Sequence, residues 1–206
     1  MKIYAYGSFN GFKPVLAAEE LGIDYEYVHV NLGAGEQRKP EHLARHPLGK
    51  IPVLEHNGHC ITESNSICRY LSNISDQKLY SKDPLQAAKI DQMIDTITLH
   101  VGRWIASYFW QEIVRKNIMG QEVDAAALKE ADGFLATTLP YLDAELGKNT
   151  FLCGNDLTLA DVIAITYFDI SETTSFSFDQ YKNIVRWYQS MRERPAFARA
   201  RQRMAA

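Results

Sequence analysis

The first third of the chain alternates short β-prone runs with a helical stretch. Residues 2–6 form an apolar run typical of a buried strand, and residues 12–21 have helical character and end at Gly22, a residue that commonly closes a helix. Residues 25–30 alternate aromatic, polar and β-branched side chains, which predicts a second strand. Because a helix connects these strands, we expect them to be parallel.

A hairpin is predicted after a long irregular connection. The connection covers residues 31–50 and contains one helical turn at 41–45. Two β-prone runs, 51–56 and 59–62, then flank Asn57-Gly58, which is the strongest short-range signal for a tight hairpin turn.

A helix closes this part of the chain. Four apolar residues at helical spacing define its buried stripe: Ile67, Tyr70, Leu71 and Ile74. The resulting order, βαβ, a connecting helix, then ββα, predicts an α/β thioredoxin-like domain over residues 1–75.

The rest of the chain shows helical patterns and no further strand. A polar linker covers residues 76–84 and ends at Asp83-Pro84, a residue pair that starts helices as N-cap and first helical residue. We expect one unusually long helix from there to Ile118, a second helix at 123–146 with a kink at Pro140, and two short helices near the end. Residues 85–206 are therefore predicted to form an all-α helical domain.

Thr158 and Asp161 have the spacing of a helix capping box. Asp replaces the more usual Glu, but its carboxylate can reach back to the same backbone N–H. We therefore assign both residues to folding and give neither a role in chemistry.

Composition and charge narrow the class of protein. The 206 residues carry a net charge of −3 with a pI of about 6.1, which argues against a nucleic-acid partner, and the basic run at 192–203 is interpreted as a positive helix end. No leader segment and no apolar run of membrane-spanning length is present, and the cysteines, Cys60, Cys68 and Cys153, have no C-x-x-C spacing. These features predict a cytoplasmic protein that takes no metal and no membrane partner.

Four segments together resemble a known family. They are Ser-Phe-Asn-Gly-Phe-Lys at 8–13, Gly-Lys-Ile-Pro-Val-Leu at 49–54, Thr-Glu-Ser-Asn-Ser-Ile at 62–67 followed by Arg-Tyr-Leu, and Leu-Thr-Leu-Ala-Asp at 157–161. In this order and spacing the chain resembles the soluble (cytosolic) glutathione S-transferase superfamily over nearly its whole length. Asn10-Gly11 and the segment 35–37 look closest to the nu class and the fungal nitrogen-regulator-like class, with phi and theta enzymes next.

The resemblance implies that Ser8 activates the thiol of glutathione. A thiol with a pKa near ~8.5 must lose about two pKa units to be mostly ionised at pH 7, which corresponds to about 2.7 kcal/mol. A hydroxyl hydrogen bond to an anion supplies roughly 1.5–3 kcal/mol and a helix N-terminus roughly 0.3–1 kcal/mol. Asn10 adds a further donor. The alternatives are that Ser8 only caps the helix, or that Tyr4 or Tyr6 activates the thiol, although both tyrosines fall in the expected strand.

The other expected contacts of glutathione come from three places in the chain. In the family the Ile51-Pro52 bond is cis and the backbone of Ile51 pairs with the cysteinyl part of glutathione. Glu63 and Ser64 open a helix whose N-terminus suits the γ-glutamyl carboxylate and ammonium, while Ser64 can equally be an ordinary cap. For the glycyl carboxylate we select three residues, of which the arginine can equally be a surface charge: Gln37, Arg38 and Lys50.

The implied function is conjugation of glutathione, as co-substrate, to a small hydrophobic electrophile in detoxification. The electrophile is expected against the long helix, where five candidate residues lie: Arg103, Trp104, Ser107, Tyr108 and Gln111. Two alternatives use the same fold: a glutathione-dependent disulfide-bond reductase or peroxidase, and a non-catalytic glutathione-binding or interaction protein. The family also implies a homodimer.

Overall fold

The computed structural model describes residues 1–205, which separate into two compact units. Residues 83–191 form one, called here the helical unit. The first unit comprises residues 1–82 and the described residues from Arg192 onward.

A four-stranded mixed sheet forms the centre of the first unit. Its strands are β1 (Lys2–Ala5), β2 (Glu26–His29), β3 (Val53–His56) and β4 (His59–Ile61), in the order β2-β1-β3-β4. β1 runs parallel to β2 and antiparallel to β3, and β3 pairs with β4 in an antiparallel hairpin. The thioredoxin-like prediction and the parallel pairing of the first two strands are confirmed.

Three helices flank this sheet. They are α1 (Phe9–Leu21), α2 (Pro40–Arg45) and α3 (Ser64–Asn73), and a single 3-10 turn, Glu36–Arg38, precedes α2. α1 packs against α3, and its central residues, from Val15 to Ala18, are completely buried. Gly22 ends α1 with a φ of 68°, a left-handed conformation that a residue without a side chain adopts without strain.

The helical unit confirms the all-α prediction. Its long first helix is continuous: α4 (Pro84–Asp95), a π-helical stretch (Thr96–Gly102), α5 (Arg103–Tyr108) and a second π-helical stretch (Phe109–Ile118). Then follow α6 (Ala125–Lys148), α7 (Leu159–Ser171) and α8 (Lys182–Arg192).

Gly102 allows this long helix to pass close to α7. A Cβ atom at this position would lie 2.5 Å from the ring of Tyr167. The two helices therefore meet at a distance that leaves no room for a side chain.

The last helix, α9 (Pro195–Ala205), packs on α1 of the first unit. The rings of Phe12 and Phe197 meet edge to face at 5.2 Å, and Arg194 donates two hydrogen bonds to the carboxylate of Glu20. The basic run thus forms a helix with Arg203 in its last turn, as interpreted, and its arginines also form ion pairs with Glu19 and Glu20 of α1. The sequence also placed these residues in the helical domain, whereas they pack with the first unit.

Among residues 1–205, every helix is too short or too polar to cross a lipid bilayer.

Candidate active site

Ser8 caps α1 and keeps a hydrogen to donate. Its extended backbone (φ −124°, ψ 159°) turns the chain into the helix, and its Oγ accepts a hydrogen bond of 3.2 Å from the Gly11 N–H. α1 therefore begins at Phe9, three residues earlier than the sequence predicted. Because the hydroxyl is only an acceptor in this contact, the capping role and the donation of its hydrogen to a ligand are compatible.

Gly11 lets the first turn of α1 approach the end of β1. A Cβ atom here would lie 2.4 Å from the carbonyl oxygen of Tyr6 and 3.2 Å from the Cβ of Ala5. Any side chain would move the helix start and Ser8 with it. In the sequence, Gly11 only indicated the class within the family that the chain resembles. A glycine in a first helical turn, where it lowers helix stability, was the signal for such a close approach.

Asn10 lies in the first turn of α1 rather than in a loop, and it contacts a buried lysine. Its Oδ1 accepts a hydrogen bond of 2.9 Å from the Nζ of Lys13, which is only 1% exposed. Burial lowers the pKa of Lys13 to about 8, while Glu63 and Cys68 act in the opposite direction. Sequence reasoning did not select Lys13, because lysines are mostly surface residues.

The two tyrosines differ in their surroundings. Tyr4 is buried in β1, its hydroxyl donates to Glu55 Oε2 at 2.9 Å, and the guanidinium of Arg45 lies 4.4 Å from its ring centre. Tyr6 lies after the end of β1 and is 36% exposed, so its expected place inside the strand is wrong. The carbonyl of Tyr6 accepts the Ser8 N–H at 2.6 Å. Tyr4 is thus occupied by Glu55, while Tyr6 acts on the Ser8 turn through its backbone.

Glu63 precedes α3 in an unusual backbone conformation. Its φ of 64° lies in the left-handed region that side chains rarely adopt, and its side chain makes no capping hydrogen bond to the helix. Such strain costs about 1–3 kcal/mol and clusters at ligand sites. The Glu63 charge raises the pKa of Lys13 on α1 and that of His46 after α2, although burial dominates at both and lowers them. Ser64, the first residue of α3, is buried.

The residues selected for the glycyl end meet at one turn. A Cβ atom on Gly49 (φ 57°) would lie 2.8 Å from the carbonyl oxygen of Gln37 and 3.1 Å from Nη1 of Arg38. That Nη1 donates to the Leu48 carbonyl at 3.4 Å, which holds the guanidinium against the turn. Residues 37–38 of the connection are thus brought together with residues 48–49, which precede β3.

Two further groups at this turn differ in their partners. The carbonyl of Lys50 lies 2.7 Å from Nε2 of His42, while the Lys50 side chain is exposed. The Oε1 atom of Gln37 is buried and has no hydrogen-bond partner within the described part of the chain. The peptide bond between Ile51 and the buried Pro52 is cis, as the resemblance implied.

Thr158 and Asp161 form the predicted reciprocal capping box at the start of α7. The Asp161 carboxylate is fully buried and accepts four hydrogen bonds: from the Leu152 N–H, the Thr158 N–H, the Thr158 hydroxyl and the Trp187 indole. Burial raises its pKa, and these bonds oppose that shift. Both oxygens of the Asp161 carboxylate therefore accept hydrogen bonds from within the helical unit.

Two of the candidate electrophile residues are used inside the helical unit. Tyr108 is buried and donates a short hydrogen bond to Asp132. The Oε1 of Gln111, also buried, accepts the Asp124 N–H at 3.0 Å. Trp104 stacks on Phe134 with ring centres 4.3 Å apart.

Other residues of the long helix present apolar side chains to solvent. Sequence reasoning missed three large apolar side chains that are exposed along or just after the second π-helical stretch: Trp110, Ile118 and Met119. Such stretches occur frequently at functional sites. No group of three or more His, Cys, Asp or Glu side chains among residues 1–205 is placed to hold a metal ion.

Comparison with known proteins agrees with the fold. Residues 1–73 match the family model of the glutathione S-transferase N-terminal domain, and residues 99–195 match that of the C-terminal domain. Glutathione S-transferase 4 of Zea mays is 32% identical over 89% of this chain and 83% of its own, and Glutathione S-transferase F10 of Arabidopsis thaliana is 33% identical over 81% and 79%. Glutathione S-transferase I from maize, solved with an atrazine–glutathione conjugate, superposes with a TM-score of 0.90 at 27% identity, covering 99% of this chain and 97% of that one.

The chain belongs to the soluble glutathione S-transferase superfamily and is a glutathione transferase. Its class within that superfamily stays a prediction.

Proposed function

We propose that the protein activates the thiol of glutathione at the start of α1 and conjugates it to a small hydrophobic electrophile. The observation that carries this proposal is the geometry of Ser8. Its Oγ is fixed by the Gly11 N–H, and its own hydrogen is left to donate to a thiolate. The bond and the helix N-terminus together supply roughly 2–4 kcal/mol, which matches the requirement for ionising a thiol at pH 7.

The step needs no general base. The bound thiol loses its proton to solvent, the sulfur attacks the electrophilic carbon, and the bond to the leaving group breaks with its electron pair going to that group. Ser8 keeps its own proton and stabilises the anion. Asn10 supplies a second donor through its amide, since its oxygen already accepts from Lys13.

The ends of glutathione are assigned to the two other places described. The free N–H groups at the start of α3 and the Ser64 hydroxyl receive the γ-glutamyl carboxylate, and the Glu63 carboxylate meets the ammonium. The strained backbone and uncommitted side chain of Glu63 support this role. The backbone of Ile51, beside Pro52, is assigned to the cysteinyl part.

The glycyl end is assigned to Gln37, Arg38 and Lys50. The buried, unpartnered Oε1 of Gln37 supports a ligand there, because buried polar atoms in native proteins almost always find a partner. A peptide N–H of glutathione would supply one. If the amide is turned by 180°, its NH₂ group would instead meet the glycyl carboxylate.

The electrophile is assigned to the exposed apolar residues near the end of the long helix, Trp110, Ile118 and Met119. The relative solved with an atrazine conjugate supports an apolar second substrate. We further propose a cytoplasmic homodimer that acts in detoxification. Exposed Leu99, Phe134 and Tyr141 on the helical unit support self-association.

A disulfide reductase with a protein thiol is disfavoured by the cysteines. Burial raises the pKa of Cys68 to about 12 and that of Cys153 to about 11, so both stay protonated and unreactive at pH 7. Reduction of a disulfide would then use bound glutathione itself, since the exposed Cys60 lies in β4 and not in the turn at Ser8. An activity panel of aryl halides, peroxides and small disulfides separates that reaction from conjugation.

Ser8→Ala tests the proposal. A lost anion hydrogen bond of roughly 1.5–3 kcal/mol should raise the pKa of bound glutathione by about one to two units, and turnover at pH 7 should fall roughly tenfold or more. The ultraviolet absorbance of the thiolate measures that pKa on a pH titration. Turnover should recover partly at higher pH, since solvent then ionises the thiol.

Asn10→Ala is the matched variant, two residues further along the chain. If Asn10→Ala shifts the thiolate pKa and Ser8→Ala does not, the main role belongs to Asn10. An absence of heat on calorimetric titration of the intact protein with glutathione would refute the proposed function altogether.

A further inference from the structure

We propose that Lys13 is a positioning residue for glutathione activation: its buried ammonium holds the oxygen of the Asn10 amide and thereby presents the amide NH₂ group as a donor to the glutathione thiolate. The inference rests on the proposed function and adds to it a residue that no other line of reasoning has assigned.

The first observation is the contact itself. Lys13 follows Asn10 by three residues on α1, so both side chains lie on one face of the helix, and Nζ lies 2.9 Å from Oδ1. An ammonium has three donors and no acceptor. The amide can therefore meet Lys13 only through its oxygen, and the NH₂ group must face another direction. A partner that both donates and accepts hydrogen bonds, such as a hydroxyl, would not exclude the flipped amide.

The second observation is burial. Lys13 is 1% exposed and is among the largest fully buried side chains of the chain. A buried lysine loses its hydration, which is costly unless its charge is compensated. A fixed positive charge and an oriented amide at the start of α1 suit the stabilisation of an anion there.

The third observation is the electrostatic surroundings. Burial disfavours the charged form of Lys13, whereas the Glu63 carboxylate at the cap of α3 favours it, and Phe9 presents its ring 5.6 Å from Nζ. Glu63 is a proposed glutathione ligand, so the lysine connects the start of α1 to the start of α3.

Lys13→Met is the main test, made in the full-length protein with glutathione as the ligand. The pKa of the bound thiol should rise by about half to one unit, which lowers the thiolate fraction at pH 7 about 1.5- to threefold from that of a thiol titrating at ~6.5. kcat should fall by that factor, while KM for glutathione changes less than about twofold. The matched control is Lys129→Met on the exposed surface of α6, which should leave both quantities unchanged.

A double-variant cycle shows whether Lys13 acts through Asn10. In an Asn10→Ala background, Lys13→Met should cause no further rise of the thiolate pKa. Additive shifts would show that the lysine acts independently and would overturn the positioning role. An unchanged thiolate pKa in Lys13→Met would overturn it as well.

Asn10→Asp keeps the proposal falsifiable if Lys13→Met does not fold. The aspartate retains an oxygen for Lys13 but has no NH₂ group, so the thiolate pKa should rise at least as much as in Asn10→Ala, with the folded state retained. If Asn10→Asp ionises bound glutathione as the unmodified protein does, the oriented NH₂ group has no role and the proposal is wrong. If the unmodified protein itself fails to bind or ionise glutathione, the proposed function fails instead.

Discussion

Two helix starts in this protein carry the same kinds of residue but differ in how these residues are hydrogen-bonded. At α7, Thr158 and Asp161 bind each other and the neighbouring backbone, and the carboxylate accepts four internal hydrogen bonds. At α3, Glu63 makes no capping hydrogen bond and occupies a strained conformation beside Ser64. A hydroxyl and a carboxylate at a helix start therefore indicate folding when their partners are internal and ligand binding when they are uncommitted.

Asp161→Ala should have the largest effect and should break the α7 side of this comparison. It leaves three N–H donors without an acceptor: those of Leu152 and Thr158 and the Trp187 indole. Each unsatisfied buried donor costs about 1–3 kcal/mol, so the free energy of unfolding should fall by about 3 kcal/mol or more. Chemical denaturation measures it.

The matched control is Asp156→Ala, an exposed carboxylate in the same loop, which should change stability by less than about 0.5 kcal/mol. Asp161→Ala protein that remains folded should bind and ionise glutathione normally. A stable but inactive variant would contradict the structural assignment.

Ser64→Ala should have the next largest effect, on binding rather than stability. Loss of a hydroxyl contact to a carboxylate should weaken glutathione binding by about 1–3 kcal/mol, as measured by isothermal titration calorimetry. Since Glu63 occupies the cap position, the melting temperature should change little. Ser66→Ala, an exposed serine on the same helix, is the control. If Ser64→Ala at the start of α3 lowered the stability as much as Asp161→Ala does at the start of α7, Ser64 would be only a cap.

Tyr4→Phe should have the smallest effect and removes a rival for thiol activation. The Tyr4 hydroxyl is the main cause that lowers the pKa of Glu55, with Arg45 contributing. A carboxyl group whose pKa is lower in the folded than in the unfolded state stabilises the fold at pH values above the unfolded pKa. This stabilisation is lost as the pH falls through the folded pKa. Tyr4→Phe should therefore cost roughly 0.5–1.5 kcal/mol at pH 7 and less in acid.

Denaturation curves at pH 7 and at pH 3–4 measure that difference. The thiolate pKa of bound glutathione should not change in this variant. A rise comparable with that in Ser8→Ala would transfer the activating role to Tyr4.

Local signals predicted most of the fold. The Asn57-Gly58 turn, the Asp83 cap and the Thr158–Asp161 box depend on residues close in sequence, and all three appear in the structure. The start of α1 was predicted too late, because a glycine and an asparagine lower helix propensity while the Ser8 cap offsets that loss.

Features that depend on distant residues could not be predicted. The burial of Lys13 requires α3 to pack over α1, and nothing in a single lysine indicates it. The pairing of Glu19 with Arg199 joins residues 180 positions apart. The hydrogen bond of the Tyr4 hydroxyl depends on Glu55, a residue of β3. Such facts follow from the assembled structure only.

The docking of α9 on α1 has a consequence for how the protein is made. During synthesis the four strands and α1 to α3 leave the ribosome first, yet the surface of α1 that receives Phe197 and Arg194 stays uncovered until the last helix follows. The entire helical unit is translated in that interval. The nascent first unit therefore exposes Phe12 and the carboxylates of Glu19 and Glu20 until α9 has been translated.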